Sequence, residues 1–267
     1  MIEQYMTDLR HSDPAVRYNA AQQLGSSGDA RALPALIDAL PDSNEKVQYA
    51  AFSGLIKLGD SSAAAPMLTA LLDDMDSRVW ALMRLNIGMR LRHGLLDMVP
   101  RGDSAIIRQI ETALARETLD THQRAFFVRA LGRASTGEAV ETLLELLEHP
   151  NHDIRVAAGE AVGWIGDARA VEPLLTLLLD SSDQVREVAV EGLGRIGHER
   201  AVEPIIRILQ DEAEWVRRAA AVALGELGDA RALDPLAEAM HDEDEMVQDA
   251  AFEAIKKLST DRFTTVI

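Results

Sequence analysis

Residues 154–180 read IRVAAGEAVGWIGDARAVEPLLTLLLD, and two later stretches of the chain repeat this pattern without gaps. They are residues 185–211, VREVAVEGLGRIGHERAVEPIIRILQD, and residues 216–242, VRRAAAVALGELGDARALDPLAEAMHD. Pro173, Pro204 and Pro235 occupy equivalent positions and set a period of 31 residues. Such a match indicates duplication of one structural unit.

The N-terminal part of the chain carries the same unit twice, as VRYNAAQQLGSSGDARALPALIDALPD at 16–42 and VQYAAFSGLIKLGDSSAAAPMLTALLD at 47–73. Each unit holds two helical patterns. The first has a proline near its start, where a missing N–H costs no intrahelical hydrogen bond. The second carries Val-Arg-x-x-Ala-Ala-x-x-Leu-Gly, whose small residues let neighbouring helices approach closely. Because neither helix can bury its apolar stripe alone, the units must stack.

The sequence therefore predicts an all-α, right-handed α-solenoid of about eight helix pairs with a 31-residue period. We expect a single repeat domain over residues 1–267, with the second helices on its concave side. An irregular expansion at 92–102 separates repeats 3 and 4, and a short polar tail occupies 259–267.

Arginine recurs at the Val-Arg position and aspartate at the Gly-Asp position of several units. An Arg fork that faces carboxylates of adjacent repeats would fix the stacking angle. We expect such pairs between the arginines and aspartates at these two positions, which are Arg17, Arg155, Arg186, Arg217, Asp29, Asp60, Asp167 and Asp229. Gln48 and Gln248 interrupt the series of arginines, and His198 replaces one aspartate.

The unit D-x-x-V-R-x-x-A-A-x-A-L-G-x-L-G-D-x-R-A-x-x-P-L resembles the short HEAT-like repeat of the phycobilin-lyase (E/Z) type. That group was first noticed in the subunits that attach bilins to phycobiliproteins. The resemblance extends over nearly the whole chain and implies the solenoid fold. It implies less about function, because one fold hosts many functions.

Composition excludes several classes of function. The chain has no cysteine, which rules out disulfides, thiolate metal sites and a cysteine nucleophile. Its formal net charge of −17 argues against nucleic acid and against an anionic membrane surface. The chain has neither a signal-peptide pattern at its N-terminus nor an apolar run of about 18 residues. We therefore expect a cytoplasmic protein that does not insert into membranes.

Aligned repeats predict which second-helix residues face the groove. Its ends are polar or acidic, whereas its middle collects aromatic, apolar and arginine side chains, the types that dominate protein interfaces. The predicted partner- or ligand-binding residues are Trp80, Leu85, Met89, Arg129, Arg133, Trp164 and Arg195. The alternative reading places the tryptophans in the packing between repeats and pairs the arginines with neighbouring glutamates.

The chain shows no catalytic motif: it lacks a glycine-rich phosphate loop and a Gly-x-Ser-x-Gly turn. His149 and His152 lie beside Asp153 and could hold a divalent metal, but a surface pair in a turn is the interpretation we favour. We expect no catalytic residue, no metal and no cofactor.

Two classes of function remain. The first is a non-catalytic scaffold or adaptor that binds another protein, one with a basic or mixed surface, through the groove and the apolar patch of repeats 3 and 4. That partner could be a phycobiliprotein or another photosynthetic or cofactor-bearing protein. The second class, implied by the resemblance alone, is a subunit of a phycobilin lyase or isomerase that binds a bilin and transfers it. Such lyases often act as pairs of related subunits, so the resemblance also implies a hetero-oligomer.

Overall fold

The computed structural model describes residues 1–73, 78–84 and 89–264. Within these ranges every regular element is an α-helix or a short 3-10 turn, and no helix among them is long and apolar enough to cross a membrane. Contacts divide the chain into two compact units, Met1–Ala134 and Ser135–Ile267, called unit 1 and unit 2 below. The predicted all-α fold is confirmed, whereas a single domain over the whole chain stays a prediction.

Unit 1 contains nine described helices. They are α1 (Ile2–Asp8), α2 (Pro14–Ser26), α3 (Leu33–Asp38), α4 (Glu45–Leu58), α5 (Ala64–Asp73), α6 (Arg78–Arg84), α7 (Met89–Met98), α8 (Ser104–Leu114) and α9 (Thr121–Ala134). Helix α7 overlaps the predicted expansion at 92–102. Residues 92–98 of the expansion are therefore helical.

Unit 2 contains four regular helix pairs. Their helices are α10 (Val140–Leu146), α11 (His152–Ile165), α12 (Val171–Leu177), α13 (Asp183–Ile196), α14 (Val202–Ile208), α15 (Glu214–Leu227), α16 (Leu233–Ala239) and α17 (Glu245–Thr264). Helix α17 continues through residues 259–264, most of the segment that the sequence predicts to be a polar tail.

Five repeats pass from the second helix to the next first helix through the same kind of turn, those that end in α2, α4, α11, α13 and α15. After α11, Gly166 adopts a left-handed conformation with φ of 76°, which only glycine reaches without strain. The next residue, Asp167, accepts a hydrogen bond from the backbone N–H of Arg169 and begins the 3-10 turn Ala168–Ala170. The Gly-Asp pair of the repeat therefore ends one helix and caps the turn that leads into the next.

Second helices of neighbouring repeats pack directly on one another through small residues. Gly163 of α11 lies against Gly192 of α13, and Gly194 of α13 lies against Ala223 of α15. In unit 1, Gly25 of α2 meets the backbone of α4 at Gly54. These contacts bring the second helices close together, as the Ala- and Gly-rich pattern predicts.

Candidate protein-binding surface

Buried Arg–Asp pairs join successive repeats and fix the spacing of their helices. Arg186 donates from Nε and Nη2 to the two carboxylate oxygens of Asp211, at 2.7 and 2.8 Å. Its Nη1 donates to the backbone carbonyl of Asp180, 2.9 Å away. One guanidinium thus binds the turn of its own repeat and the aspartate of the next turn. The same bidentate arrangement joins Arg17 to Asp42, Arg155 to Asp180 and Arg217 to Asp242.

The predicted partners of these arginines were wrong. Arg155 lies in the first turn of α11, whereas Asp167 follows the other end of that helix. At 1.5 Å per residue the two positions are about 18 Å apart along a second helix, and Arg155 binds Asp180 of the next repeat in place of a Gly-Asp aspartate. Asp167 instead binds Arg169, two residues on, at 2.7 Å. The aspartate that pairs with each arginine lies 25 residues later, in the turn between the two helices of the next repeat.

Both sets of aspartates have a lowered pKa, but for different reasons. The side chain and backbone N–H of Arg169 lower the pKa of Asp167 to about 2. Burial alone would raise the pKa of Asp211, but the hydrogen bonds from Arg186 and from the Ala213 backbone lower it overall. Because a carboxylate with a lowered pKa favours the folded state, this stabilisation holds at neutral pH and is lost as the pH falls below about 4.

Among the described residues, unit 1 has one such buried Arg–Asp pair, between Arg17 and Asp42. At the equivalent position, repeat 2 has Gln48 and repeat 3 has Trp80, whose indole N–H donates to the Leu71 carbonyl at 2.8 Å. In repeat 4, Arg124 donates to the carbonyls of Leu114 and Arg116, at 2.7 and 2.9 Å. The three positions therefore differ from one another, whereas unit 2 has arginine at three of its four equivalent positions and Gln248 at the fourth.

The second helices α15 and α17 of unit 2 carry exposed apolar side chains beside charged ones. Trp215 is 40% exposed and Val222 is 43% exposed, and both lie on α15. They line a small cleft of about 150 Å³ together with Glu187, Glu191 and Arg195 of α13. Large apolar side chains at this exposure mark interaction surfaces when they cluster.

The cleft continues toward α17. Val222 and Glu226 also line a second, wider cleft of about 520 Å³, whose far side is formed by Glu253 and Lys257. We call the two clefts together, which share Val222 and Glu226, the unit 2 groove. Carboxylates flank its α13 side, and Lys256 and Lys257 lie on its α17 side.

The surroundings of one carboxylate of the groove, that of Glu187, shift its pKa. Burial raises the pKa of Glu187 above its ordinary value, and the nearby Glu191, Asp183 and Glu160 raise it further. Arg218 acts in the opposite direction but does not cancel these effects. The groove therefore holds an excess of negative charge around Glu187, where a cation would be favourable.

The structure places the predicted site residues in several environments. Trp80 is 2% exposed and packs edge to face against Phe126 and Phe127, with ring centroids 5.5 and 5.9 Å away. It is a core residue, which corrects its predicted place in the groove: the indole fills the position of the repeat arginine. Leu85 and the side chain of Met89 lie outside the described part of the chain.

The remaining predicted residues are divided between the two units. Arg129 and Arg133 are half-buried on α9 of unit 1, and Arg133 donates to Asp97 at 3.1 Å. Trp164 is half-buried on α11 of unit 2. Of the seven, only Arg195 lines the unit 2 groove, where it donates to Glu191 at 3.0 Å.

Trp215, which lines the groove, was missed by the sequence reading. The prediction used three aligned positions of each second helix. In the seventh repeat these positions include Arg218 and Val222 but not the residue one turn before Arg218. Trp215 lies three residues before Arg218, on the same helix face. A search for tryptophan in the first turn of a second helix would have found it.

His149 has a structural role in its turn. Its Nδ1 accepts a hydrogen bond from the backbone N–H of Asn151 at 3.1 Å. Asp180 accepts the same bond from Ser182 in the next repeat. The histidine therefore takes the place of the turn aspartate, and no group of three or more potential ligands within the described ranges could hold a metal ion.

A family model for HEAT repeats matches residues 3–86, 107–193 and 177–256. The chain belongs to the HEAT-repeat family. The predicted resemblance to HEAT-like repeats is thereby confirmed. No curated protein matches the chain.

Solved structures share the fold at low sequence identity. Kap95p, which binds RanGDP, has a TM-score of 0.62 at 17% identity over 96% of this HEAT-repeat protein and 40% of its own chain. The Escherichia coli protein YibA has a TM-score of 0.53 at 19% identity, over 95% and 92% of the two chains. The CpcE–CpcF complex of phycocyanin lyase from a Nostoc species has a TM-score of 0.45 at 22% identity, over 97% and 94%.

Proposed function

We propose that this protein is a non-catalytic scaffold that binds another protein through the unit 2 groove. The observation that supports this proposal is the exposure of Trp215 and Val222, two turns apart on α15, in one cleft with charged residues. Tryptophan at the centre of an interface contributes a large contact area, and surrounding polar groups exclude water from it.

The frame around the groove is suited to binding without rearrangement. Arg186 and Arg217 are each 7% exposed, and each holds a bidentate ion pair that joins its repeat to the next. Three such pairs fix the spacing of the second helices in unit 2. A preorganised surface loses less conformational entropy on binding than a mobile one.

The charges of the groove define the partner. Glu187 and Glu191 lie at its α13 side, and Lys256 and Lys257 lie at its α17 side. We expect a partner with an apolar anchor at the centre, basic groups toward α13 and acidic groups toward α17. The formal net charge of −17 adds attraction toward basic partners during diffusion.

The test compares a double apolar substitution in the groove with a single apolar substitution outside it. A partner protein captured from source cells is purified, and its Kd is measured against wild type, Trp215→Ala/Val222→Ser and Leu179→Ser. Leu179 is 86% exposed but lies outside the groove, so its replacement controls for a general loss of surface hydrophobicity. We expect the double variant to bind at least ~10-fold more weakly, as for a hot-spot residue, at unchanged thermal stability. Equal affinities for all three proteins would overturn the proposal.

A second arm of the experiment addresses the bilin-lyase alternative. The purified protein is mixed with a bilin, desalted, and its visible spectrum is recorded. An unshifted spectrum agrees with a scaffold that binds protein alone. A shifted band that survives desalting and transfer of the bilin to a phycobiliprotein would assign a lyase function instead.

A further inference from the structure

The side of α17 that points away from α15 carries an exposed aromatic residue. Phe252 is 52% exposed, and it lies two residues before Ala254, which contacts Gly225 of α15. At 3.6 residues per turn, two residues correspond to a rotation of about 200°, so Phe252 and Ala254 lie on opposite sides of the helix. Within the described ranges, α17 packs mainly on α15 and α16. The phenyl ring therefore lies on the outer side of the last helix of unit 2.

The preceding repeats bury the residue at this position beneath the repeat that follows. A Cβ on Gly159, which is equivalent to Phe252, would lie 2.8 Å from the side chain of Val188 in the next repeat. The equivalents of Phe252 in the three preceding repeats of unit 2 are all buried, and they are Gly159, Val190 and Ala221. The position thus belongs to the contact between repeats, and in α17 it carries a large apolar side chain that is half exposed.

Two further positions show the same change. Met240 is 37% exposed and Ile255 is half-buried. Their equivalents in the three preceding repeats are at most 4% exposed, and they are Leu147, Leu178 and Leu209 for the first and Val162, Leu193 and Leu224 for the second. We call Met240, Phe252 and Ile255 the α17 outer face. Exposed apolar side chains that cluster in this way mark a binding surface.

A further repeat stacked in the consensus way does not fit the α17 outer face. The residue equivalent to Lys256 is glycine in each of the three preceding repeats, Gly163, Gly194 and Gly225. These glycines let the next second helix approach closely: a Cβ on Gly225 would lie only 2.9 Å from the Cβ of Ala254. A lysine side chain is much larger, so no second helix can approach α17 at that distance. The molecule that covers this face must pack in a different geometry.

Charges of opposite sign lie on the two sides of Phe252 along α17. Glu245 and Asp249 precede it, Lys256 follows it, and all three side chains are exposed. At 3.6 residues per turn these four residues fall within about 60° of one another around the helix. Lys256 pairs with Glu253 at 3.1 Å, an exposed pair of the kind that contributes little and can exchange. An antiparallel copy of the same helix would set its basic half against this acidic half.

We propose that the α17 outer face binds a second copy of this chain, with the two α17 helices antiparallel and Phe252 at the two-fold axis. Asp249 lies three residues before Phe252 and Lys256 four residues after it, so Asp249 of one protomer lies opposite Lys256 of its partner. Each such contact occurs twice, as a two-fold interface requires. A parallel pair would instead set like charges against each other, which is unfavourable.

This dimer goes beyond the proposed function, because it uses another surface of unit 2. Met240, Phe252 and Ile255 line neither cleft of the unit 2 groove, and Lys256 borders both surfaces. Trp215 and Val222 lie on α15, on the other side of α17 from the outer face. A dimer formed in this way leaves the two apolar side chains of each groove accessible to another protein.

Sedimentation equilibrium of the full chain, from about 1 to 100 μM, measures the dimer. We expect wild type to dimerise reversibly within this range and Phe252→Glu to raise the Kd at least ~100-fold, because a lost central contact costs about 10-fold or more and occurs twice. Met246→Glu is the matched control: Met246 is 57% exposed on the same helix, but about 120° around it from Phe252. This variant should dimerise like wild type, and circular dichroism checks that both variants fold.

Two charge variants test the pairing of Asp249 with Lys256. Lys256→Glu makes both positions acidic and Asp249→Lys makes both basic, so each variant repels its own copy and should dimerise about 10-fold more weakly than wild type. An equimolar mixture sets acidic positions against basic ones, and it should form a heterodimer about as tightly as wild type dimerises.

The absence of cysteine from the chain allows the direction of the helices to be tested by disulfide formation. Glu245 and Ser259 each lie seven residues from Phe252, so an antiparallel pair brings them together across the axis. A mixture of Glu245→Cys and Ser259→Cys should therefore cross-link rapidly on mild oxidation. Either variant alone should not, because its two thiols would lie about 21 Å apart along the helices.

Four results would overturn the proposal: a monomeric wild type at about 100 μM, equal losses in Phe252→Glu and Met246→Glu, no recovery in the mixture of charge variants, or faster cross-linking of one cysteine variant alone than of the mixture. Trp215→Ala distinguishes the two surfaces, since it should dimerise like wild type. If it abolishes the dimer while Phe252→Glu does not, the copies meet through the unit 2 groove and the α17 outer face is not the interface.

Discussion

Unit 1 and unit 2 consist of the same repeat but are cross-linked to different degrees. In unit 2 three buried Arg–Asp pairs follow one another, and three exposed Arg–Glu pairs run along the first helices at 2.7 to 3.4 Å. The described part of unit 1 has one buried Arg–Asp pair of this kind, between Arg17 and Asp42, and its exposed pair between Arg31 and Glu3 is 3.8 Å long. A further exposed pair, Arg133 with Asp97 at 3.1 Å, joins α9 to α7, and Trp80 takes the place of a repeat arginine in an aromatic cluster.

This difference shows what a repeat gains by departing from its consensus. Trp80 replaces an arginine and forms an aromatic cluster with Phe126 and Phe127, close to the extra helix α7. Gln48 replaces another arginine and leaves a cleft. The regular unit is thus suited to holding a fixed surface, whereas the irregular unit gains internal space that the consensus would fill.

The largest loss of stability is expected for Arg186→Ala in unit 2, which tests the comparison directly. This change leaves the Asp211 carboxylate, 8% exposed, without its guanidinium. Removing one partner of a buried pair costs about 3 kcal/mol of unfolding free energy or more. Urea unfolding measures this loss, and hydrogen exchange resolved by unit shows whether it is confined to unit 2.

Arg195→Ala is the matched control for that experiment. Arg195 pairs with Glu191 on the surface, where both side chains are about 40% exposed. Surface pairs of this spacing contribute about 0.3–0.5 kcal/mol. If Arg186→Ala costs no more than Arg195→Ala, the buried pairs do not hold unit 2 together and the contrast between the units fails.

A smaller loss of stability, this time in unit 1, is expected for Gly25→Ala. A Cβ on Gly25 would lie 2.3 Å from the Cα of Gly54, so the backbones of α2 and α4 would have to separate. Overpacking of this kind costs about 1–3 kcal/mol. At Gly163 of unit 2 the nearest atom is 3.0 Å away, and the better helix propensity of alanine, up to about 1 kcal/mol, offsets the strain.

Thermal denaturation of the two alanine variants measures this contrast. We expect Gly25→Ala to lower the melting temperature and Gly163→Ala to leave it almost unchanged. Equal losses in the two variants would show that the two units pack their second helices with the same tolerance.

The smallest effect concerns Glu187 of the unit 2 groove. Its pKa is raised, so protonation favours the folded state: the stabilisation is full below the unfolded pKa and is lost as the pH rises through the folded pKa. Glu187→Gln removes this loss and relieves repulsion from Glu191, four residues on, worth about 0.2–0.5 kcal/mol. The variant should be more stable than wild type at pH 7 and equal to it at pH 4. A difference that does not change with pH would contradict the raised pKa.

The sequence predicted the helix pairs because their signals are local. Pro173, Pro204 and Pro235 mark the starts of first helices, and the Gly-Asp pairs mark the ends of second helices. Each signal acts within one or two turns, so spacing along the chain is enough to read it.

Contacts between repeats could not be read in the same way. The arginines were expected to pair with the Gly-Asp aspartates because both recur with the same period. Several aspartates recur with nearly the same period, and the period does not show which of them the arginine contacts: Arg155 pairs with Asp180 of the next turn and not with a Gly-Asp aspartate. Trp80 was expected on the surface for a related reason, since aromatic residues suit interfaces and cores equally well.

The offset of 25 residues in the Arg–Asp pairs has a consequence for how such a chain can change in length. A whole added repeat brings an arginine that pairs with the aspartate of the following repeat. It also brings an aspartate that pairs with the arginine of the preceding repeat, so every junction is paired again. Neighbouring helices lie about 8–10 Å apart, and each duplication would lengthen the molecule by roughly that step. Evolution can therefore adjust the reach of this protein in whole increments, with no compensating substitution at the point of insertion.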